Sequence, residues 1–472
     1  MRWFYLLVIL FLAANLYFTY KGDILLNAIP FGLLLMYTAF YHMDKLFMLI
    51  VFFTPISINI EEFVSSDVGL FVPTEPLLFG MLLLMIFNQL KRNQFDRAFL
   101  IHPITLIFIA QLCWIFLTAL TSTHPLVSFK FLLTKFWFII PIYFFGVHFF
   151  KEEKNVTRFL WLYISTLAIV VVYTLTNHAI NGFDEASGHW VMFPFFKDHT
   201  SYGAILALMY PVLFGLLFSK KRGPLVRLTL IFLIVLLGVG IFMSYTRAAW
   251  LSLVGAFAIY LLIRFKVRFR YLAIVGLAGV LYIAASWTQI MHNLERNRSE
   301  HATENLDERI ESIANISTDA SNLERLNRWG SAIRMWQERP ILGWGPGTYA
   351  MEYAPFQLAS GKTIISTNSG NMGNAHSEYL GPLSEQGLLG MLLMLLLVGY
   401  IMYTGITLYI RMPDGEMRII LITLVLGLIT YFTHGILNNY LDTDKATIPV
   451  WGMTAIIVML DLKYPKAKKR ED

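Results

Sequence analysis

Residues 291–376 form the one long polar run of the chain, and they include RLNRWGSAIRMWQERPILGWGPG at 325–347. Apolar stretches flank this run on both sides, and NAHSEYL (374–380) leads into the next one. A bilayer core of about 30 Å requires roughly 20 apolar residues in helical form. The sequence therefore predicts an all-α polytopic membrane protein with one large loop outside the membrane.

The composition agrees with lipid as the main solvent. Of the 472 residues, 57% are hydrophobic and 14% are charged, whereas a soluble domain has about 25% charged residues. The single cysteine, Cys113, excludes a disulfide within the chain. The formal net charge of +6 is better explained by basic cytoplasmic loops than by a nucleic-acid partner, so we expect no nucleic acid.

The apolar segments predict about 12–14 transmembrane helices. Residues 3–20 are interpreted as a retained span rather than a signal peptide, because no convincing cleavage site follows them. The segment 45–58 is the weakest, since it is short and contains Pro55, and a re-entrant or tilted segment is the alternative. The predicted spans are 3–20, 24–41, 45–58, 74–90, 103–121, 128–149, 157–176, 201–218, 227–245, 248–264, 271–288, 385–408, 417–436 and 446–463.

The distribution of basic residues predicts the orientation. With the N-terminus inside, the cytoplasmic connections and the C-terminal tail carry most of the 37 Lys and Arg residues. Cytoplasmic loops are enriched in these residues, so both termini are expected to be cytoplasmic. Three parts follow: a transmembrane bundle of about 11 spans at 1–290, a large outer loop at 291–384, and C-terminal spans with a basic tail at 385–472.

Two segments of the outer loop, 304–314 and 322–339, have the spacing of amphipathic helices. In the second, Leu326, Trp329 and Ile333 recur at three- and four-residue steps. Pro340 is expected to end this helix. With two Trp residues, the helix is expected to lie on the membrane surface or to cap the bundle.

Ionisable side chains within the spans gather towards their outer ends. They include Lys130, Lys135, Arg247 and His434. A charge inside a membrane is costly and suggests a function, and cations suit a phosphate or pyrophosphate group. Arg247, preceded by Ser244, Tyr245 and Thr246, is therefore a candidate anion clamp. On chemistry alone, the alternative of a snorkelling residue that only marks a span end is somewhat favoured.

His376 is the candidate proton acceptor. A histidine with a pKa near 6.5 is neutral for much of the physiological range and can take a proton from an attacking hydroxyl. Asn374, Ser377 and Glu378 are candidate orienting partners. The alternative is an interfacial histidine that only makes hydrogen bonds.

Lys197, Asp198 and His199 follow the aromatic run at 190–196. A cation beside aromatic side chains at the membrane face suits a lipid-linked phosphate, but an aromatic belt with a solvated charge explains the pattern almost as well. The histidines lack zinc-ligand spacing, and neither a metal nor another cofactor is expected. Asp442 and Asp444 stand beside Lys445 and are expected to be structural.

Together these segments resemble the O-antigen ligase and O-antigen polymerase family of bacterial envelope glycosyltransferases. The motifs that carry the resemblance are KDHTSYG (197–203), SYTRAAW (244–250), Arg325-x-x-x-Trp329 leading to Pro340-x-x-Gly343-x-Gly345, AHSEYL (375–380) and Glu385-x-Gly387-x-x-Gly390. The family often has Arg in the first of these motifs, where this chain has Lys197.

The resemblance implies a metal-independent transferase of the bacterial inner membrane, with its site at the periplasmic face and the loop 291–384 in the periplasm. It would move a glycan from undecaprenyl pyrophosphate to an acceptor hydroxyl, which is that of lipid A–core in the ligases. His376 would activate the hydroxyl and Arg247 would neutralise the departing pyrophosphate. Arg325 or Arg328 would hold sugar or phosphate.

Further substrate contacts are expected from Lys135, Lys197, His199, Tyr245 and Glu378. No convincing carboxylate nucleophile is evident, so a single inverting displacement is expected. An alternative in the same family is a polymerase or a protein O-oligosaccharyltransferase. A transporter of lipid-linked glycans is disfavoured because charge is scarce near the membrane midplane, and a non-catalytic scaffold would need only the helix 322–339.

Overall fold

The computed structural model describes residues 2–22, 25–63, 69–91, 96–218, 222–266, 320–358 and 373–465. Most of these residues are helical, which confirms the all-α prediction. The helices are α1 (Arg2–Tyr20), α2 (Ala28–Tyr41), α3 (Met43–Phe53), α4 (Thr74–Lys91), α5 (Arg97–Leu100), α6 (Pro103–Leu120), α7 (Pro125–Ile139), α8 (Gly146–Phe149), α9 (Glu153–Ile180), α10 (Glu185–Gly188), α11 (His199–Leu217), α12 (Pro224–Met243), α13 (Arg247–Arg264), α14 (Ala320–Glu338), α15 (Tyr349–Glu352), α16 (Leu380–Arg411), α17 (Glu416–His434) and α18 (Asp444–Lys463).

Shorter elements complete the described structure. Ile58–Asn59 (β1) and Phe71–Val72 (β2) pair antiparallel, and a π-helical segment, Ile140–Phe145, joins α7 to α8. Pro141 lies in this segment and lacks a backbone N–H, which fits a local widening of the helix. Single turns of 3₁₀-helix lie at Leu25–Asn27, Thr54–Ile56, Ile60–Glu62 and Ala354–Phe356.

Within the described residues, nine helical segments are long and apolar enough to cross a membrane. They correspond to nine of the predicted spans and make the chain a multi-pass membrane protein. Predicted spans 3–20, 24–41 and 74–90 are helices with shorter apolar stretches, and predicted span 271–288 lies outside the described residues. The nine segments are 103–120, 125–149, 153–180, 199–217, 224–243, 247–264, 380–411, 416–434 and 444–463.

The predicted span 45–58 is wrong as a full crossing. Its helix, α3, has only 11 residues and ends at Phe53, after which Thr54–Ile56 form a 3₁₀ turn. Pro55 cannot donate a backbone hydrogen bond, so the α-helical ladder is not continued through it. The chain then enters the small β1–β2 hairpin.

The centre of the bundle is formed by α11, α17 and α18. In α18, 89% of the apolar window is buried within the protein, against 17% in α13, which lies at the periphery. Close contact in the centre depends on small residues, as in other membrane bundles. A Cβ at Gly427 would lie 2.3 Å from the carbonyl oxygen of Leu208, so α17 and α11 approach each other backbone to backbone.

The described part of the outer loop packs on one end of this bundle, with α14 lying against α16. Ala332 and Met335 of α14 form a second small core with Trp344, Tyr349 and Tyr353. The helix ends at Glu338, two residues before Pro340, as predicted. Of the two surface roles expected for it, the structure shows the cap on the bundle.

The glycine motifs join the loop to the bundle. Helix α16 is broken at Gly387, whose φ is 71°. A Cβ at that position would lie 2.0 Å from the carbonyl oxygen of Ile341, and one at Gly343 would lie 2.4 Å from the carbonyl carbon of Glu385. The amide of Gly345 also donates to Glu385 at 2.8 Å. Only glycines permit this contact, which is why the two motifs occur together.

The two ends of the bundle differ in their contacts. At the loop end, Thr123 donates its amide to Trp344, and Glu378 donates its amide to Gly435. The opposite end carries ion pairs between the ends of the long helices. These pairs are His102 with Asp461, Arg411 with Asp461, Lys463 with Glu153, and Arg222 with Glu416. The predicted outer connections therefore meet at one end.

Candidate active site

His376 lies in the turn between Gly373 and α16. Its backbone has a φ of 47°, a left-handed conformation that is uncommon for a residue with a side chain. Two hydrogen bonds hold it there: its amide donates to Asn374 Oδ1 at 3.0 Å, and its carbonyl accepts from Trp329 Nε1 at 3.2 Å. A strained backbone retained by its surroundings is frequent at functional sites.

Arg328 forms the base of this turn. Its Nε donates to Glu324 at 2.7 Å, its Nη1 donates to the Asn374 carbonyl at 3.2 Å, and its guanidinium lies over the Tyr353 ring. Both members of the ion pair are buried. The contacts of Arg328 therefore fix the loop that carries His376.

Arg325 lies at a different position on α14, three residues earlier. Its charge is within electrostatic range of His199, His376, His434 and the Tyr440 hydroxyl. These four side chains come from three separate segments of the chain, because His434 and Tyr440 share the 434–440 connection. We call Arg325, His199, His376 and His434 the Arg325 cluster.

Burial, and then the charges of Arg328 and Arg325, lower the pKa of His376 to about 4. The opposite charges of Glu324 and Asp198 only partly offset this effect. Since this pKa lies below neutral pH, the imidazole is neutral at pH 7 and can accept a proton. An anion bound beside the arginines would favour the protonated form and make the histidine a stronger base.

His199 enters the cluster as the first residue of α11. Asp198 caps the helix by accepting the amide of Ser201 at 2.8 Å. His199 Nδ1 lies 2.9 Å from the Ser244 carbonyl, and because a carbonyl only accepts, Nδ1 carries the proton. The Nε2 atom of the neutral ring is then an acceptor. The ring of His189 stacks on that of His199 at 4.2 Å.

The SYTR sequence at 244–247 packs against α11. Thr246 Oγ1 donates to the His199 carbonyl at 2.8 Å. A Cβ at Gly203 would lie 2.7 Å from Thr246 Oγ1, so only a glycine leaves room for this contact. Tyr245 has a φ of 51°, and its ring covers Gly188. The segment therefore serves to seat His199 as well as to present Arg247.

Arg247 and Lys197 stand beside the residues that seat His199, since Arg247 follows Thr246 and Lys197 precedes Asp198, and we call these two side chains the rim cations. Both are exposed, and neither forms an ion pair within the residues that the structure describes. Arg247 is the first residue of α13, whose N-cap, Thr246, makes no capping hydrogen bond with its side chain. The positive end of a helix and a guanidinium therefore coincide, an arrangement that favours a bound anion.

Glu378 and Lys135 have protein partners. Glu378 Oε1 accepts from the Tyr431 hydroxyl and from the amides of Tyr440 and Leu441, at 2.7–2.9 Å. Burial, and then the charge of Asp442, raise the pKa of Glu378 to about 7. Lys135 donates to Asp442 at 2.6 Å and to the Leu441 carbonyl. Both side chains fix the 435–443 connection.

A second polar cluster lies at the same end of the bundle. The Lys445 ammonium donates to the carbonyls of Thr54 and Ser57 and to Ser57 Oγ, each within 2.8 Å. Ser57 and Thr74 donate in turn to the Asp444 carboxylate. We call these residues the Lys445 cluster. Its contacts support the expected structural role of Asp444.

The sequence motifs assigned no role to His434 and Tyr440, and they did not identify Asp198 as a helix cap. Asp198 could have been found, because an acidic residue before a helix is a common cap. His434 was noted only as an ionisable group at a span end, and Tyr440 has no local signal. No group of three or more potential metal-ligating side chains occurs in the described ranges.

A family model described as O-antigen ligase matches residues 232–395. The matched segment includes Arg247, Arg325, Arg328 and His376, and it is shorter than half of the chain. No curated protein matches the chain. The match confirms the resemblance drawn from the motifs and supports a function of the O-antigen ligase or polymerase type, which implies a lipid-linked glycan and a lipid acceptor.

Proposed function

From the match of residues 232–395 to the O-antigen ligase family model, we propose that this chain is a ligase-type glycosyltransferase. It transfers a glycan from undecaprenyl pyrophosphate to a hydroxyl group of lipid A–core, at the periplasmic face of a bacterial inner membrane with both termini cytoplasmic. One observation carries the proposal: His376 has a neutral ring on a strained backbone and lies within electrostatic range of Arg325.

In the proposed reaction the acceptor oxygen attacks the anomeric carbon of the donor. The bond from that carbon to the pyrophosphate oxygen breaks, and the hydroxyl proton passes to a ring nitrogen of His376. Pyrophosphate leaves on undecaprenol, and the attack inverts the anomeric carbon. His376 suits this role because its ring is neutral at pH 7 and a positioned base accelerates such steps about 10²–10⁴-fold.

The arginines would stabilise the charge that develops on the leaving pyrophosphate. Arg325 would do so from inside the cluster and Arg247 from the rim. Preorganised cations of this kind supply a large part of catalysis where the leaving group becomes negative. Pyrophosphate is a good leaving group with such support, so the proposal includes no metal. Lys135 and Glu378 would hold the neighbouring connection rather than substrate.

Glycan transfer by the purified protein in lipid tests the role of His376. We expect H376A to lower turnover by about 10²–10⁴-fold, since the base is removed, while undecaprenyl pyrophosphate still binds. His124→Gln is the matched control, because His124 lies at the same end but pairs with Glu352 at 3.2 Å. Full turnover by folded H376A would show that His376 is not the base.

The acceptor separates the ligase from the polymerase. Transfer to purified lipid A–core is expected when both lipids are supplied. Chain growth on lipid-linked repeat units alone would instead identify a polymerase. Accumulation of translocated donor without a new glycosidic bond would identify a transporter.

A further inference from the structure

His434 is a buried histidine whose ring has no hydrogen-bond partner. It is the last residue of α17 and is 2% exposed. Neither Nδ1 nor Nε2 has a partner within the described part of the chain. An unsatisfied buried polar group costs free energy, and folded proteins contain few of them. Two such atoms on one side chain therefore require an explanation.

The connection after His434 has the same property. Asn438 is 3% exposed, and its Nδ2 donor is also without a partner among the described residues. The backbone of this connection is fixed nonetheless, because Glu378 accepts the amides of Tyr440 and Leu441. The unpaired atoms thus belong to an ordered segment rather than to a loosely placed one.

The position of His434 places it in the proposed site. It is within electrostatic range of Arg325 and Asp198, as His376 is, and its ring centroid lies 5.9 Å from that of Tyr440. The Tyr440 hydroxyl contacts Thr200 at 2.5 Å, beside the Asp198 cap. His434 therefore lies on the wall of the Arg325 cluster that is formed by 434–440.

The chemistry of the ring indicates its ligand. A neutral imidazole offers one N–H donor and one lone pair. A hydroxyl both donates and accepts, so sugar hydroxyls can satisfy both nitrogens. A phosphate oxygen only accepts and would leave the lone pair unpaired. In a lipid-linked donor, the first sugar is joined directly to the pyrophosphate, which the proposed function assigns to Arg325.

We propose that His434 is a sugar-binding residue that hydrogen-bonds hydroxyl groups of the donor glycan next to its pyrophosphate. The inference rests on the proposed function. His434 would thereby contribute to the choice of glycan, whereas His376 would act on the acceptor hydroxyl.

The test compares two lipids on three proteins in detergent. The lipids are undecaprenyl pyrophosphate and the same lipid carrying one N-acetylglucosamine, and the proteins are wild type, His434→Phe and His434→Gln. Phe has a similar ring shape without the unpaired nitrogens, so the free variant is expected to melt at the wild-type temperature or above. Gln keeps a donor and an acceptor and is expected to restore part of the sugar binding.

We expect H434F to bind undecaprenyl pyrophosphate as wild type does and to bind the sugar-bearing lipid about tenfold more weakly, as for a lost buried hydrogen bond. In glycan transfer, its KM for donor should rise while kcat stays within about threefold of wild type. If H434F does not fold, His434→Leu takes its place in the same measurements.

Equal binding of the sugar-bearing lipid by wild type and the folded apolar variant would overturn the role of His434 and leave the proposed function standing. Failure of wild type to bind either lipid would instead overturn the proposed function. A loss of kcat with unchanged donor binding would show that His434 acts in the chemical step and not as the sugar ligand.

Discussion

The Lys445 cluster and the Arg325 cluster lie at the same end of the bundle and are both rich in buried polar groups. In the first, the Lys445 ammonium has three protein acceptors, and the Asp444 carboxylate accepts from two hydroxyls. In the second, three histidines lie within electrostatic range of Arg325, and the ring nitrogens of His434 have no hydrogen-bond partner within the described residues. In the first cluster, Asp444 Oδ1 has no hydrogen-bond partner among the described residues but lies 4.0 Å from the Lys445 ammonium, whereas in the second both ring nitrogens of His434 keep hydrogen-bonding capacity for a ligand.

This difference separates structural polarity from functional polarity. Both clusters would look alike in a sequence, because each consists of ionisable residues near span ends. Their hydrogen-bond partners distinguish them: a charged group that is paired by protein acceptors, such as Lys445, connects helices, and a buried ring with both nitrogens unpaired near a strained backbone indicates a site. Substitutions in the Lys445 cluster should therefore change stability, and those in the Arg325 cluster should change activity.

Lys445→Met gives the largest expected effect. Removing one partner of a buried, hydrogen-bonded charge pair typically costs about 3–5 kcal/mol, because the remaining charge is left uncompensated. We expect a large fall in thermal stability in detergent, with the glycan transfer of the surviving folded protein unchanged. Normal stability with lost transfer would place Lys445 in the active site and contradict its structural role.

Arg325→Gln should lower kcat/KM for glycan transfer by about 10²–10³-fold with little change in stability, as for the loss of one preorganised charge-stabilising group. Arg328→Gln is the matched variant three residues away on α14. Because Arg328 pairs with buried Glu324, it should chiefly destabilise the protein. Thermal melting and donor kinetics measure the two effects. Loss of stability in R325Q and loss of transfer in R328Q would show that Arg325 is the structural residue and Arg328 the catalytic one.

The acid limb of the pH profile tests the neutral state of His376. Its pKa is lowered to about 4 by burial and by Arg328 and Arg325, so kcat/KM is expected to be flat from pH 8 to about pH 5. Below its pKa the base is protonated, and the rate falls about tenfold per pH unit. Removing the Arg325 charge raises the pKa, so R325Q should shift this limb to higher pH. If the acid limb does not shift in R325Q, the titrating group is not His376.

The rim cations should have the smallest effects. Arg247→Gln is expected to lower kcat/KM about tenfold, as for one lost charged hydrogen bond, and Lys197→Gln only about two- to threefold, as for an exposed and screened charge. Raising the salt concentration should diminish the Lys197 effect first. Donor kinetics at two ionic strengths would check this order. A larger loss of kcat/KM for Lys197→Gln than for Arg247→Gln would indicate that the pyrophosphate binds closer to α11.

The sequence identifies the parts of the molecule that depend on local pattern. Hydropathy predicted the long spans, and periodicity with Pro340 predicted α14 to within two residues at each end. It could not separate Arg325 from Arg328, because the packing of α14 against the 373–378 turn determines which side chain reaches the cluster.

Contacts between distant segments could likewise not be predicted from the sequence. The donors to Glu378 lie 53 to 63 residues away, and tertiary structure, not a local pattern, brings His434 within electrostatic range of Arg325. The short α3 was overestimated for a related reason. Its apolar composition resembles a span, but burial in the protein rather than in lipid explains it.

The most direct test of the central claim is a structure of the protein with undecaprenyl pyrophosphate bound in a lipid nanodisc. We expect pyrophosphate density within hydrogen-bond distance of the Arg325 guanidinium, with the His376 ring facing the same space. Density confined to the opposite end, for example in the 310 Å³ cavity lined by Phe99, His148 and Lys151, would contradict it.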